Sequence, residues 1–348
     1  MVKKVTLISL SSGLMGESFV AHETEIGIRR LMEYGLQIQF TSNAMKGMQY
    51  LDEHPEARAQ DWLEAFSDPE TDMILCAIGG DDTYRLLPYL FENDELKKVL
   101  ADKIFLGFSD TTTNHLMLHK LGMKSFYGQA FMPDVCELAK EMLPYTRHYF
   151  EELICTGRIS EIRPSEFWYA ERNDFQPEAI GTNRKRYPDN GFELLQGKPV
   201  FSGEILGGCI ESMCDLLRPE KSKYQKAVEL NRQYGLFPPV EDWKGKILLL
   251  ETSEEQPEPE YYRRMVCCLK DYGIFDVVSG VLCGKPMDEK YNDEYKKILT
   301  EEIENDELSV VWNINVGHAT PRCIIPFGVP ATVDASAQVI TFQNGDTQ

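Results

Sequence analysis

The stretch that decides the fold is residues 103–122, KIFLGFSDTTTNHLMLHKLG. A short apolar run at 104–106 breaks into Gly107-Phe108-Ser109-Asp110-Thr111, and helix-forming residues begin at once. A buried strand feeding directly into a helix is the building unit of a parallel sheet covered on both faces. Turns of this size are usually made from Asn-Gly, Pro-Gly or Ser-Gly pairs, so the serine next to an acid raises a question. Two readings fit Ser109. It caps the following helix, a role that Ser, Asp and Thr all favour. Alternatively it is a nucleophile on an elbow of the G-x-S-x-G kind, which exposes the hydroxyl and offers the next N–H as an oxyanion donor. The second glycine of that pattern is missing here, since Thr111 takes its place.

The alternation extends on both sides of this stretch. KVTLISL and LQIQFTS read as strands, with HETEIGIRRLMEYG between them as a helix stopping at Gly35. HPEARAQDWLEAFSDP is a helix bracketed by prolines, and DMILCAIGG is a strand that closes on Gly79-Gly80. TYRLLPYL starts a helix with Pro88 inside it. From about residue 144 to 199 the pattern weakens into Tyr, Arg, Glu and Asn, which predicts exposed loops and short strands in a crossover. The second half resumes with KPVFSGEILGG, KGKILLLET, VVSGVLCG and SVVWNINVGH as strands, helices between them, and a terminal hairpin around Asp334-Ala335-Ser336. The expected organisation is an N-terminal parallel-sheet α/β domain over 1–145, a linker over 146–199, and a C-terminal α/β domain over 200–348.

Composition narrows the partners. The chain of 348 residues is 26% charged and 43% hydrophobic, an ordinary globular balance. Its formal net charge of -20 argues against nucleic acid and against an anionic membrane surface, because no basic stripe could displace counterions. No apolar run approaches the roughly 18 residues of a membrane span. The lysines and short apolar run at the start are shorter than a signal peptide requires, and nine scattered cysteines without a C-x-x-C pair read as reduced core thiols. The expected location is the cytoplasm.

Of six histidines, His115 and His119 share a helix face, but HLMLH lacks the glutamate of a zinc H-E-x-x-H. His318 follows a strand in NINVGHATPRCIIPFG, where a loop residue can reach across a cleft. Glu251 ends the strand KGKILLLE, an acid at the tip of an apolar run, and reads either as a strand reaching water or as the carboxylate that orients a histidine base. Ser109, Glu251 and His318 thus each stand at a strand end, in the order used by α/β-hydrolases. Gly79 and Gly80, after their strand, allow backbone N–H groups to approach a ligand, and Asp110 supplies another N–H. A dinucleotide site is opposed by the absence of G-x-G-x-x-G and of a phosphate loop.

Taken together, ARAQDWLEAFSDPETDMILCAIGGDDTYRLLPYL, FLGFSDTTTNHLML, SFYGQAFMPD, GEILGGCIESMCDLL, ILLLETSEEQPEPEYYRRMVCCL and VGHATPRCIIPFGVPATVDA resemble the LD-carboxypeptidase family of serine peptidases over nearly the whole chain. The resemblance implies a catalytic Ser-Glu-His triad at Ser109, Glu251 and His318, a small barrel-like β-structure in the C-terminal domain, a homodimer, and no metal or organic cofactor; Gly79, Gly80 and Asp110 are read from the residues themselves as oxyanion or substrate binders. Members that trim murein tetrapeptides carry an Arg before the paired glycines and Tyr-Gly after them, whereas this chain has Ile78 and Asp81-Asp82. That form, with YGQAFMPD, is more similar to the branch of microcin-C immunity peptidases, which cleave the amide between an acidic aminoacyl group and a nucleotide. The expected substrate is therefore a peptide- or aminoacyl-nucleotide conjugate. Removal of D-Ala from a murein tetrapeptide, or binding without cleavage, is the alternative. Phe167, Trp168 and Tyr169 are candidates for stacking on a base or for packing, and Arg184, Lys185, Arg186 and Arg263 for meeting a phosphate.

Overall fold

The computed structural model describes residues 1–343. Strands β1 (Lys4–Ile8), β2 (Gln37–Phe40), β3 (Met73–Cys76), β4 (Ile104–Gly107) and β5 (Ser125–Tyr127) lie parallel in the order β2-β1-β3-β4-β5. The helices Ala21–Glu33, Pro55–Ser67 and Thr111–Lys120 connect them. Both faces of the sheet are covered, so its central strand β3 is apolar and buried at every residue, and Trp62 packs on Phe105 of β4 with ring centroids 5.3 Å apart.

The remaining strands are β6 (Glu161–Ile162), β7 (Phe167–Tyr169), β8 (Arg186–Pro188), β9 (Glu193–Gln196), β10 (Val200–Cys209), β11 (Ile247–Glu251), β12 (Gly280–Gly284), β13 (Ser309–Ile314), β14 (Ile325–Phe327), β15 (Pro330–Asp334) and β16 (Val339–Phe342). Eight of them form a second, mixed sheet in the order β6-β16-β15-β10-β11-β12-β13-β9. Its centre, β10 to β13, is parallel, and β11, β12 and β13 are buried over their full lengths. The long β10 joins two arms: residues 200–204 pair antiparallel with β15, and 205–209 pair parallel with β11. The expected terminal hairpin is β15-β16. Strand β14 crosses back and pairs antiparallel with β5, so the second half of the chain completes the first sheet. The architecture is α/β with two sheets.

One segment differs from its expected form. Residues 144–156, expected as part of a loop-rich crossover, form the helix Pro144–Thr156. Its buried residues Thr146, Tyr149, Phe150, Leu153 and Ile154 follow the helical three–four spacing, with the polar neighbours Arg147, His148, Glu151 and Glu152 between them. Beyond it, β6 and β9 add the two edge strands of the second sheet, and β7 pairs with β8 in a separate ribbon. No helix among the described residues is long and apolar enough to cross a membrane.

The strand order of the first sheet reverses at β1, which has β2 on one side and β3 on the other. Open α/β sheets bind ligands beyond the carboxyl ends of strands at such a switch point. Ser11 and Ser12 follow β1, Gly79 and Gly80 follow β3, and Ser109 follows β4, all at that edge. Glu251 closes β11 and His318 follows β13, at the carboxyl edge of the second sheet. Ser109 meets His318, and Tyr127 at the end of β5 meets Glu251, so the two edges come together.

Candidate active site

Ser109 has a backbone φ of +66°, in the left-handed region that a residue with a Cβ occupies at a cost of about 1–3 kcal/mol. The helix behind it begins at Thr111 with Asp110 at the N-cap position, and no side chain caps it. The serine hydroxyl is therefore not spent on the helix. It points instead to His318, with Oγ 3.0 Å from Nε2. On the other side of the ring, Nδ1 lies 2.7 Å from Glu251 Oε2, and the same oxygen accepts the His318 backbone N–H at 3.2 Å. Ser109, Glu251 and His318 are all buried. Their contact requires a close approach at Gly317, whose φ is +84° and where a Cβ would stand 2.3 Å from Glu251 Oε2. Arg322 braces the same loop: its guanidinium donates to the carbonyls of Gly317 and His318, and to Asp134 at 3.0 Å.

Tyr127, at the end of β5, was not singled out in the sequence. Its hydroxyl donates to the second oxygen of Glu251 at 2.6 Å and accepts the N–H of Ser109 at 3.2 Å. Thr112 Oγ1 donates to it at 3.3 Å, and Thr112 in turn accepts the N–H of Cys209 at the tip of β10. Burial, reinforced by the Glu251 charge, pushes the Tyr127 phenol well above its ordinary range, so it remains a donor. The signal for it was a tyrosine ending a strand two residues before Gln129, which by itself does not separate a core tyrosine from a site tyrosine.

Gly79 and Gly80 lie directly against Ser109 and the loop after β1. A Cβ on Gly79 would come within 2.7 Å of Ser109 Oγ, and one on Gly80 within 2.2 Å of Ser11 Oγ. Asp110 faces the same loops with its side chain: its carboxylate accepts the Ser11 hydroxyl at 2.6 Å and the N–H groups of Asp82 and Thr83 at 2.9 Å. Burial pushes its pKa up to about 6. The backbone N–H groups of Gly80 and Asp110 donate to no acceptor among the described residues. They are free donors beside the serine.

The electrostatics of His318 are dominated by two acids. Burial by itself lowers its pKa, but the charge and hydrogen bond of Glu251, joined by Glu254, outweigh burial and push it up to about 10. Glu254 Oε2 lies 2.9 Å from Nε2, and this contact with His318 holds the Glu254 carboxyl down at about 2. Glu254 also escaped the sequence reading, because TSEEQPEPE looks like a solvated acidic turn.

A cleft of about 680 Å³ opens over Ser109 and His318. Its walls include Leu14, Phe19, Leu138 and Phe175, with Arg172 and Arg184 among its polar residues. Of the basic candidates only Arg184 lines it, paired with Glu137 at 2.6 Å and Glu171 at 2.8 Å. Lys185 lies over the Tyr187 ring, Arg186 over Phe167, and Arg263 pairs with Glu301 and Glu302 on a distant helix face. Trp168 stacks on Tyr187 within the β7-β8 ribbon, and none of Phe167, Trp168 and Tyr169 lines the cleft. His115 is a packing residue: Nε2 meets the Gly107 carbonyl at 3.0 Å, Nδ1 meets Ser125 at 2.7 Å, and burial pushes its pKa down to about 4. A larger cleft of about 820 Å³ lies among Met1, Asp72, Lys103 and Arg158, at the opposite ends of the strands, and contains none of the reactive groups. No cluster of three or more potential metal ligands occurs among the described residues.

The chain is similar to a solved MccF-like protein from Streptococcus pneumoniae in complex with AMP, at 59% identity and TM-score 0.97, with 99% of each chain covered. It is 26% identical over 287 residues to the microcin C7 self-immunity protein MccF of Escherichia coli, covering 80% of this chain and 75% of that protein. It is 24% identical over 322 residues to a Bacillus subtilis protein named "Probable murein peptide carboxypeptidase", covering 90% and 85%. The profile of the LD-carboxypeptidase N-terminal domain matches residues 5–128, and that of the C-terminal domain matches residues 202–333. With both domain profiles matched in order over more than half of its length, the chain belongs to the LD-carboxypeptidase family, peptidase family S66.

Proposed function

We propose that this protein is a serine hydrolase that cleaves the amide of an aminoacyl- or peptidyl-nucleotide conjugate of the microcin-C type through an acyl-enzyme on Ser109. The observation that carries this reading is the unbroken contact Ser109 Oγ–His318 Nε2 and His318 Nδ1–Glu251, at 3.0 and 2.7 Å, built from three separate strand ends. His318 Nε2 takes the hydroxyl proton as Oγ attacks the carbonyl carbon, and Glu251 stabilises the imidazolium and fixes its tautomer. The carbonyl oxygen becomes an oxyanion next to the unused N–H groups of Gly80 and Asp110, a stabilisation of about 3 kcal/mol per donor in other acyl-transfer sites. The C–N bond then breaks and the leaving nitrogen takes the proton from His318. Water attacks the ester, gives its proton to His318, and the serine is restored.

The substrate class is supported by AMP in the Streptococcus pneumoniae relative and by the self-immunity role in the name of the Escherichia coli relative. The cleft is also large enough for a nucleotide, with apolar side chains along its walls and Arg172, Arg184 and Arg322 among the charged residues, each paired with an acid. Removal of D-Ala from a murein tetrapeptide is the second reading, supported by the name of the Bacillus subtilis relative. The test is mass spectrometry of aspartyl sulfamoyl adenosine and of an L,D-linked muropeptide tetrapeptide after incubation with wild type and with Ser109→Ala. Release of sulfamoyl adenosine by wild type alone is expected. Loss of D-Ala instead assigns the second reading, and tight binding without turnover by wild type assigns a sequestering protein.

A further inference from the structure

Two oxygens stand close to one nitrogen. His318 Nε2 lies 3.0 Å from Ser109 Oγ and 2.9 Å from Glu254 Oε2. An imidazole nitrogen carries either one proton or one lone pair. The ring aims Nε2 at Ser109 Oγ, its hydrogen-bond partner, and Glu254 stands beside that direction as a charge that holds a proton on the imidazole. A carboxylate at hydrogen-bond distance stabilises the protonated form, so the contact seen here opposes the base that the reaction needs. With Glu254 drawn away, the proton is held less tightly and neutral His318, the form that takes the serine proton, is more populated.

The surroundings indicate what draws it away. Glu254 sits on the turn after β11, with its side chain 62% exposed, at the divide between the main cleft and a recess of about 60 Å³ behind Ser109. Its only ion pair among the described residues is with His318. The nearby cations are engaged elsewhere: Lys221 with Glu255 at 2.8 Å, Lys223 with Asp81, and Arg322 with Asp134 and two backbone carbonyls. The recess adds Glu211 and Asp215 and no free cation. Arg172 and Arg184, across the cleft, are held by Glu137, so among the described residues no unpaired cation lines the cleft or the recess beside Glu254.

We propose that Glu254 recognises an ammonium group of the substrate beside the scissile carbonyl, and that pairing with it draws the carboxylate off His318 Nε2 and frees the base. This rests on the hydrolase reading above. Two parts of an acyl group offer such a cation, the free α-amino group and a side-chain amine. The device makes the wrong substrate a poor one in the chemical step, because an acyl group without the cation leaves Glu254 in place.

The experiment compares kcat/KM for three conjugates of sulfamoyl adenosine: aspartyl, N-acetyl-aspartyl and Nα-acetyl-lysyl. Wild type is expected to cleave the aspartyl conjugate about 10- to 100-fold faster than its N-acetyl form, the range of one charge-assisted hydrogen bond. Recovery with Nα-acetyl-lysyl identifies the side-chain amine as an accepted source; no recovery identifies the α-amine. Glu254→Gln is expected to bring the aspartyl to N-acetyl-aspartyl ratio close to one, raising the blocked substrate as well as lowering the free one. Equal rates in wild type, or an unchanged ratio in Glu254→Gln, overturn the proposal while leaving the hydrolase reading intact. If wild type cleaves none of the three, that reading fails, and calorimetric binding to Ser109→Ala decides the role of Glu254. A preference for the free amine that disappears in Ser109→Ala/Glu254→Gln supports it, and equal affinities refute it.

Discussion

Replacing Tyr127 by Phe removes one oxygen and leaves the ring, which stacks on Phe327 with centroids 5.4 Å apart. That oxygen has three partners, and two of them matter to the chemistry: the Ser109 N–H at 3.2 Å and Glu251 Oε1 at 2.6 Å. The variant takes one donor from a buried carboxylate, an interaction of about 1.5–3 kcal/mol, and orphans a buried N–H at about 1–3 kcal/mol. The first loss acts on the orientation of Glu251, hence on the imidazolium formed in the transition state. The second relaxes the strained backbone of the nucleophile. The phenol does not line the cleft, so substrate binding has no direct contact to lose. The expected result is a fall in kcat of about 10- to 100-fold, at about 1.4 kcal/mol per decade, with KM within about threefold. Steady-state kinetics on the cleaved conjugate, with urea unfolding alongside, checks both parts. A folded Tyr127→Phe enzyme with the kcat of wild type would refute the claim that this hydroxyl aligns Glu251 and Ser109.

Glu251→Gln keeps the shape but offers His318 Nδ1 a neutral partner and the wrong tautomer; kcat is expected to fall about 10³- to 10⁴-fold, measured as above. Gly317→Ala places a methyl where Glu251 Oε2 stands and adds the strain of a positive φ, so both activity and the urea midpoint fall, and a variant as stable and active as wild type would contradict the close approach described here. His318 has its pKa raised from 6.5 to about 10 in the folded protein, so the stability its ion pairs contribute is complete below about pH 6.5 and is lost as pH rises through 10. Urea unfolding between pH 6.5 and 10 should show that decline, with a shallower slope in Glu254→Gln. In the same variant the acid limb of kcat/KM moves to lower pH, since one of the two carboxylates that hold the proton on His318 is gone.

Much of the site could be read in the sequence because its parts carry local signals. An apolar run that stops at a polar residue marks a strand tip, and Ser109, Glu251 and His318 each stand at or just beyond one. The helices at Pro55–Ser67, Pro259–Tyr272 and Asn292–Ile303 announced themselves by periodicity and by proline or acids in the first turn. The helix Pro144–Thr156 carried the same periodicity but was hidden by its tyrosines and charges, which read as exposed loop. The local pattern also left Ser109 open between cap and nucleophile, because a serine before a helix serves both roles; the positive φ and the contact with His318 distinguish them.

What the chain order decided alone is the longer strands, the glycines that permit close approach, and the position of each member of the triad at or just beyond a strand's end. Tertiary structure decided the rest. Ser109 and His318 are 209 residues apart, and Tyr127 and Glu251 are 124 apart, yet each pair shares a hydrogen bond. No local preference reaches that far. Those distances are set by two sheets whose carboxyl edges meet, and by β14 crossing back to close the first sheet. The same packing gave Tyr127 and Glu254 their places against Glu251 and His318. A buried tyrosine and an exposed acidic turn have no distinguishing mark in sequence; what each does depends on the atom it faces.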